Sequence, residues 1–264
     1  MGKNKNYDYS KEDIIQSLIK VGVSKGDNIF IYSNIGFFGR LKGVTDKNDC
    51  YQIFRRAIFE VIEEDGTLVV PTFSYSFCWG KIFDKDKTPS VCGFLSEMVR
   101  NDPRSLRSED ANFSIAAIGN NAEYFVRDAP ENSFGPNSFC ERFLKSNGKF
   151  CNFNFDSGST FIHYVERLLN VPYRYDKMFP GKSIINGKGE ERVFYHFVYD
   201  LTKPNNAPDF TKFDKKAKGI GLTKTANLGK GQIVLISAEG TLELIKRKLK
   251  ENPTFLIKGQ HIEA

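Results

Sequence analysis

Two buried-strand patterns separated by one amphipathic helix constrain this chain more than any other feature. After the turn at Gly26-Asp27, residues 28–32 read as a buried strand. Cys50, Ile53, Phe54, Ala57, Ile58, Val61 and Ile62 then repeat at the 3.6-residue period of a helix. That helix closes near Asp65-Gly66, and Thr67-Leu68-Val69-Val70-Pro71 reads as a second buried strand. Strand, helix and strand in succession make a βαβ unit and predict a parallel pair, because parallel strands need a crossover connection. The 264 residues fit one large α/β domain or two small ones, and residues 1–264 are read as one.

The remaining pattern agrees with an α/β class. Ser10-Lys11-Glu12-Asp13 resembles a capping arrangement ahead of Ile14, Ile15, Leu18 and Ile19, which predicts an opening helix. Further elements are predicted as a helix over 94–100, a strand over 114–118, a helix over 139–145 and a strand around Phe150. Residues 193–199 read as a later, antiparallel strand, 239–250 as the last helix and 254–257 as a final short strand. Residues 72–89 form an aromatic irregular stretch that carries Trp79, the chain's single tryptophan; a loop of that length usually serves function or covers the core.

Composition narrows the function. No stretch is long enough to span a bilayer, and the polar start Met1-Gly2-Lys3-Asn4-Lys5-Asn6 reads as neither a signal peptide nor a myristoylation site. No membrane partner is therefore expected. Cys50, Cys78, Cys92, Cys140 and Cys151 are odd in number, lack C-x-x-C spacing and do not cluster with His163, His196 or His261. They read as reduced thiols of a cytoplasmic protein, with neither disulfide framework nor metal site. The net charge of +6 is spread over helical patterns such as 212–218 and 246–250 and accompanies no nucleic-acid-reading motif, so no nucleic-acid partner is expected.

The chemistry concentrates in Asp156-Ser157-Gly158-Ser159-Thr160-Phe161-Ile162-His163-Tyr164-Val165-Glu166. The first four residues offer helix caps. Phe161, Ile162, Val165, Leu168 and Leu169 share one helical face, and Thr160, His163, Glu166 and Arg167 share another. A carboxylate can hold one imidazole nitrogen protonated and leave the other free to take a proton, as a general base requires. The same spacing also describes a solvated pair on an exposed helix. No G-x-S-x-G elbow and no glycine-rich phosphate loop is present, and Gly219-Ile220-Gly221 lacks a third glycine and a preceding strand. Cys151 reads as a buried strand thiol, and His196 as a packed strand residue.

Taken in order, the segments resemble the aminoglycoside 3-N-acetyltransferase family. Phe30-Ile31-Tyr32-Ser33-Asn34-Ile35-Gly36 is similar to that family's strand and serine-containing turn, and Gly66-Thr67-Leu68-Val69-Val70-Pro71-Thr72-Phe73 to its GTLVMPT strand. Arg107-Ser108 with Ser114, Phe134-Gly135-Pro136-Asn137-Ser138, and Thr160, His163 and Glu166 follow its later motifs. Two departures stand out: Asp110-Ala111 replaces a frequent His-Pro, and Asn152-Phe153-Asn154-Phe155 replaces a Leu-Gly-Val type of stretch.

The resemblance implies a mixed central sheet flanked by helices, in an antibiotic N-acetyltransferase-like fold. It implies direct acyl transfer from acetyl-CoA, or another acyl-CoA, to a small-molecule amine. His163 would then be the general base, Glu166 its orienting partner, and Thr160 with the start of its helix an oxyanion donor. Ser33, Asn34, Thr72, Arg107, Ser108 and Ser114 carry over as cofactor-side residues. The positive net charge and the change at Asp110 turn the expected acceptor from a polycationic aminoglycoside to a nucleotide-linked amino sugar (dTDP or UDP) of surface-polysaccharide synthesis. Asp110, Arg174 and Lys177 are the substrate-side candidates, the last two for phosphates, although Val171-Pro172-Tyr173-Arg174-Tyr175-Asp176-Lys177 also reads as an exposed basic loop. A homodimer is open to such a chain, and so is a non-catalytic binding protein of the same fold.

Overall fold

The computed structural model describes residues 7–258, so the readings of residues 1–6 and of His261 lie outside it. Ser10 opens α1 (Lys11–Val21) with a complete capping box, its hydroxyl accepting from the Asp13 N–H and the Asp13 carboxylate accepting from the Ser10 N–H. The chain continues through β1 (Asn28–Phe30), α2 (Lys47–Ile62), β2 (Thr67–Pro71), β3 (Phe83–Asp84), α3 (Phe94–Arg100), β4 (Leu106–Arg107) and β5 (Ile115–Gly119). Then follow α4 (Ala122–Val126), α5 (Phe139–Lys145), β6 (Lys149–Phe153), α6 (Phe161–Leu168), β7 (Arg174–Ile185) and β8 (Lys188–Tyr199). The last elements are α7 (Thr211–Gly219), β9 (Lys224–Leu228), β10 (Gly231–Ser237) and α8 (Ala238–Glu251).

The predicted βαβ unit is present, with β1 and β2 parallel and Ile29 opposite Leu68. They lie inside a seven-stranded mixed sheet of order β4-β5-β2-β1-β6-β10-β9, in which β6 also runs parallel to β1. Side chains alternate across it, as strand geometry requires. Ile29, Leu68 and Cys151 join the core shared with α1, α2 and α3, whereas Phe30, Val69 and Phe150 join the core under α5, α6 and α8. The second core is built from phenylalanine rings, with Phe30, Phe143, Phe150 and Phe161 fully buried.

A second sheet, β3-β7-β8, was only half visible in the sequence. The segment expected to be a basic loop begins β7, which pairs along its whole length with β8 through the turn Asn186-Gly187, both residues at positive φ. Residues 254–257 are not a strand. Asn252 Oδ1 accepts from the N–H and hydroxyl of Thr254, and this local turn leaves an isolated bridge between Ile257 and Pro208. Among the described residues no helix is long and apolar enough to cross a membrane.

Candidate active site

α6 places His163 and Glu166 one turn apart, with His163 Nδ1 3.3 Å from Glu166 Oε2. The pair is not solvated. Glu166 is 0% exposed, because the two ends of the β7–β8 hairpin close over it. Register sets this: Arg174, first in β7, lies opposite Tyr199, last in β8. Glu166 Oε1 accepts from the Tyr173 hydroxyl at 2.9 Å and from Tyr199 at 3.3 Å. Arg174 Nη2 lies 2.6 Å from Glu166 Oε2, and its guanidinium stacks 3.5 Å above the Tyr199 ring. Another Arg174 N–H donates to the Phe197 carbonyl.

Arg174 Nη2 also lies 2.5 Å from His163 Nδ1. A guanidinium can only donate. That contact therefore makes Nδ1 an acceptor with the ring proton on Nε2, whereas the bond to Glu166 makes Nδ1 the donor and leaves Nε2 bare. The two are mutually exclusive, and the Arg174–Glu166 ion pair survives either one. Rings of Phe134, Tyr199 and Phe210 surround His163, and among the described residues nothing bonds Nε2. Burial first, and then the Arg174 charge, hold the imidazole below its usual 6.5 against the opposing pull of Glu166. Both effects favour the neutral form of His163.

Thr160 does not cap α6 with its side chain; its backbone is already helical. Its N–H donates to the Tyr32 hydroxyl at 3.2 Å, and its Oγ1 is 2.5 Å from the same oxygen. Tyr32 was missed in the sequence as a site residue, although it directly precedes Ser33, two residues beyond β1. Thr160, Ser108 and Asp110 all line one small cavity of ≈ 40 Å³, to which phenylalanines such as Phe113 and Phe134 also contribute. Asp110 is braced there, its Oδ1 accepting from the N–H groups of Asn112 and Phe113.

The other expected residues divide. Thr72 and Ser114 are 0% exposed and hydrogen-bond each other. Arg107 donates to Ser114 Oγ and to the carbonyls of Thr72, Lys85 and Thr88, so it braces main chain; burial pushes its pKa down to about 10. Arg174 and Lys177 do not act as a pair. An odd separation on a strand points them to opposite faces, so Arg174 is buried on Glu166 while Lys177 is exposed. Arg174 is therefore corrected from a phosphate ligand to a partner of the His163–Glu166 pair. Ser33 Oγ is enclosed without a hydrogen-bond partner, and Asn34 is exposed. Cys151 lies on the opposite sheet face from α6, away from His163. His196 is packed between Phe113 and Phe179, with Nε2 3.1 Å from Asn112 Nδ2.

Known proteins resemble this chain in sequence pattern and in fold. The sequence pattern described as aminoglycoside 3-N-acetyltransferase matches residues 38–250. The aminoglycoside acetyltransferase AAC(3)-Xa superposes with a TM-score of 0.78 at 20% identity, over 91% of this chain and 92% of that one. The structure of AAC-IIIb binary with CoASH gives 0.76 at 20% identity, over 90% and 97%. The YokD protein from Bacillus subtilis gives 0.75 at 18%, over 93% and 95%. A curated isoleucine--tRNA ligase of Mesoplasma florum is 26% identical over 144 residues, 53% of this chain, and the chain spans 16% of that protein's length. The chain belongs to the aminoglycoside 3-N-acetyltransferase family.

Proposed function

We propose that the chain acetylates the amine of an amino sugar by direct transfer from acetyl-CoA, with His163 as general base. The observation that carries the reading is an imidazole seated beside the buried Glu166–Arg174 pair with one ring nitrogen unengaged. In the productive form Nδ1–H bonds Glu166, and Nε2 takes a proton from the amine as its nitrogen attacks the thioester carbonyl. The C–S bond then breaks, the leaving thiolate takes that proton back from Nε2, and coenzyme A departs as the thiol with His163 neutral again. Tyr32 accepts from the Thr160 N–H, and in the form where its hydroxyl also donates to Thr160 Oγ1 the Thr160 hydroxyl is free to donate to the developing oxyanion. Each such donor is worth about 10²–10³ in rate.

The cavity beside Thr160, ≈ 40 Å³ in volume, suits a short acyl group. Butyryl-CoA is expected to be turned over about 10–200-fold less efficiently than acetyl-CoA, the discrimination an apolar pocket gives against added methylenes. Equal kcat/KM for the two donors would place the acyl group elsewhere.

Two acceptors remain in view, each with its own support. A nucleotide-linked amino sugar is favoured by the net charge of +6 and by exposed Lys177, but loses Arg174. An aminoglycoside is favoured by the family, whose solved members include a sisomicin-bound AAC-VIa and an AAC(3)-IVa variant in complex with apramycin. The experiment is kcat/KM for dTDP- and UDP-linked amino sugars against kanamycin, at low and moderate salt. A nucleotide sugar steered by positive charge loses efficiency as salt rises. Turnover of kanamycin alone would make the chain an antibiotic acetyltransferase, and thiol release with no amine at all would remove the amino-sugar reading.

A further inference from the structure

The loop that follows β2 leaves the sheet at the same end as the segment leading from β6 into α6, because both strands run parallel to β1 between them. Open α/β sheets bind ligands beyond the carboxyl ends of their strands. In that loop a 3₁₀ turn, Phe77–Trp79, presents the chain's single tryptophan at 54% exposure. The loop is pinned. The N–H groups of Ser74 and Tyr75 both donate to the Asn112 carbonyl, at 3.1 and 3.2 Å, and that of Cys78 to Asn112 Oδ1 at 3.1 Å. The Trp79 N–H donates in turn to the Tyr75 carbonyl at 3.1 Å. Tyr75 sits at φ 51°, a left-handed backbone that a bulky aromatic residue rarely adopts. Such strain persists where its surroundings over-determine it, and it gathers at ligand clamps and active sites. The outcome is a rigid aromatic platform, with the Tyr75 and Trp79 rings 5.8 Å apart at 47°.

Ring contacts connect this platform to the chemistry. They pass from Tyr75 to Phe113 (5.3 Å), from Phe113 to Phe134 (5.0 Å) and from Phe134 to His163 (5.5 Å). The charge beside the platform is positive. Lys81 Nζ lies 5.3 Å from the Trp79 ring centroid. Lys177 stands opposite His196 on the β7–β8 ladder, hence on the same face, and His196 Nδ1 is 3.8 Å from the Sγ of Cys78, the neighbour of Trp79. Both lysines are exposed, and neither has a carboxylate partner among the described residues. Asp176, next to Lys177 in the chain, is taken by Arg167. Two unpaired lysines repel a polycation, and an uncharged sugar makes no use of them. A nucleoside diphosphate uses rings and charges together, since its base stacks on an aromatic face and its phosphates accept from lysine.

We propose that Tyr75 and Trp79 seat the base of a nucleotide-linked acceptor, with Lys81 and Lys177 on its diphosphate and the amino sugar lying along Phe113 and Phe134 toward His163. The assignment rests on the nucleotide-linked amino-sugar reading above and adds to it the place where the nucleotide binds. Because Trp79 is the only tryptophan, the tryptophan emission of the whole chain reports this platform alone. UDP and dTDP are the probes, titrated with and without saturating coenzyme A. Either nucleotide is expected to quench the emission saturably in both cases, with Kd rising as salt screens the lysines. Trp79→Ala and the double variant Lys81→Ala/Lys177→Ala should each raise the KM for a UDP- or dTDP-linked amino sugar by about tenfold. Both should retain kcat and keep the KM for acetyl-CoA within about twofold of wild type, because the contacts are remote from the reacting amine. Turnover of a nucleotide amino sugar with silent emission and an unchanged KM in both variants overturns the platform and leaves the acceptor reading standing. Quenching by coenzyme A that excludes UDP assigns the rings to the coenzyme's own base and diphosphate, and overturns the platform as well. Turnover confined to kanamycin ends the acceptor reading, and the platform falls with it.

Discussion

Replacing His163 with alanine is expected to lower kcat by about 10²–10⁴, the worth of a positioned general base. The side chain is 20% exposed at the edge of the network, and its removal leaves the Arg174–Glu166 ion pair and both tyrosine hydroxyl bonds to Glu166 in place. The variant should therefore fold and bind acyl-CoA. His163→Gln, which fills most of the same space between Phe134 and Phe210, serves as a packing control and should be as slow as the alanine variant. Single-turnover rates with a saturating amine read the effect. Retention of more than about a tenth of wild-type turnover would remove His163 from proton transfer.

The largest stability effect is expected at Arg174. Arg174→Met leaves the fully buried Glu166 carboxylate without its cation, and breaking a buried ion pair from one side costs about 3–5 kcal/mol. Denaturant unfolding should show that loss, and adding Glu166→Gln should recover much of it by removing the stranded charge. Arg174→Lys keeps a charge but loses the planar fork that reaches both Glu166 and the Phe197 carbonyl, so it should be milder. The same position affects pH dependence. A general base works when unprotonated, so kcat/KM should rise with pH through a midpoint below 6.5, the ordinary histidine value from which burial and Arg174 depress His163. Loss of the Arg174 charge should move that midpoint upward, and the lysine variant should move it less. A midpoint unmoved in both variants would reduce Arg174 to a structural brace.

What could be read from the sequence followed local periodicity. The α2 repeat and the unbroken apolar run of β2 announce themselves because both faces of β2 are buried, and α3 and α5 have the bounds their patterns predicted. β7 was hidden because Tyr175 to Met178 are all exposed and Pro180-Gly181 reads as loop. The turn signal Asn186-Gly187 between two runs was the available clue. The i,i+3 spacing revealed the His163–Glu166 pair but not its burial, because Tyr173, Arg174 and Tyr199 come from the ends of a different sheet. Thr72, Arg107 and Ser114 were located as a group by resemblance, yet their hydrogen bonds close on one another and on main chain. A motif marks residues that matter without saying whether they touch a ligand or hold the fold.

Two buried arginines clamp opposite ends of one hairpin. Twelve residues per strand give β7–β8 a length of about 40 Å. Arg174 fixes its root on Glu166. Near the tip, β3 pairs with Ser183 and Ile184, and Arg107 holds the carbonyls of Lys85 and Thr88 just beyond β3. If the hairpin acts as a strut, slack introduced at Arg107 is expected to reach, through β3, the end that seats Arg174 against His163. Leverage of that kind predicts that Arg107→Lys lowers kcat while the KM for acyl-CoA stays within about twofold of wild type, and a rise in that KM would return Arg107 to the cofactor side.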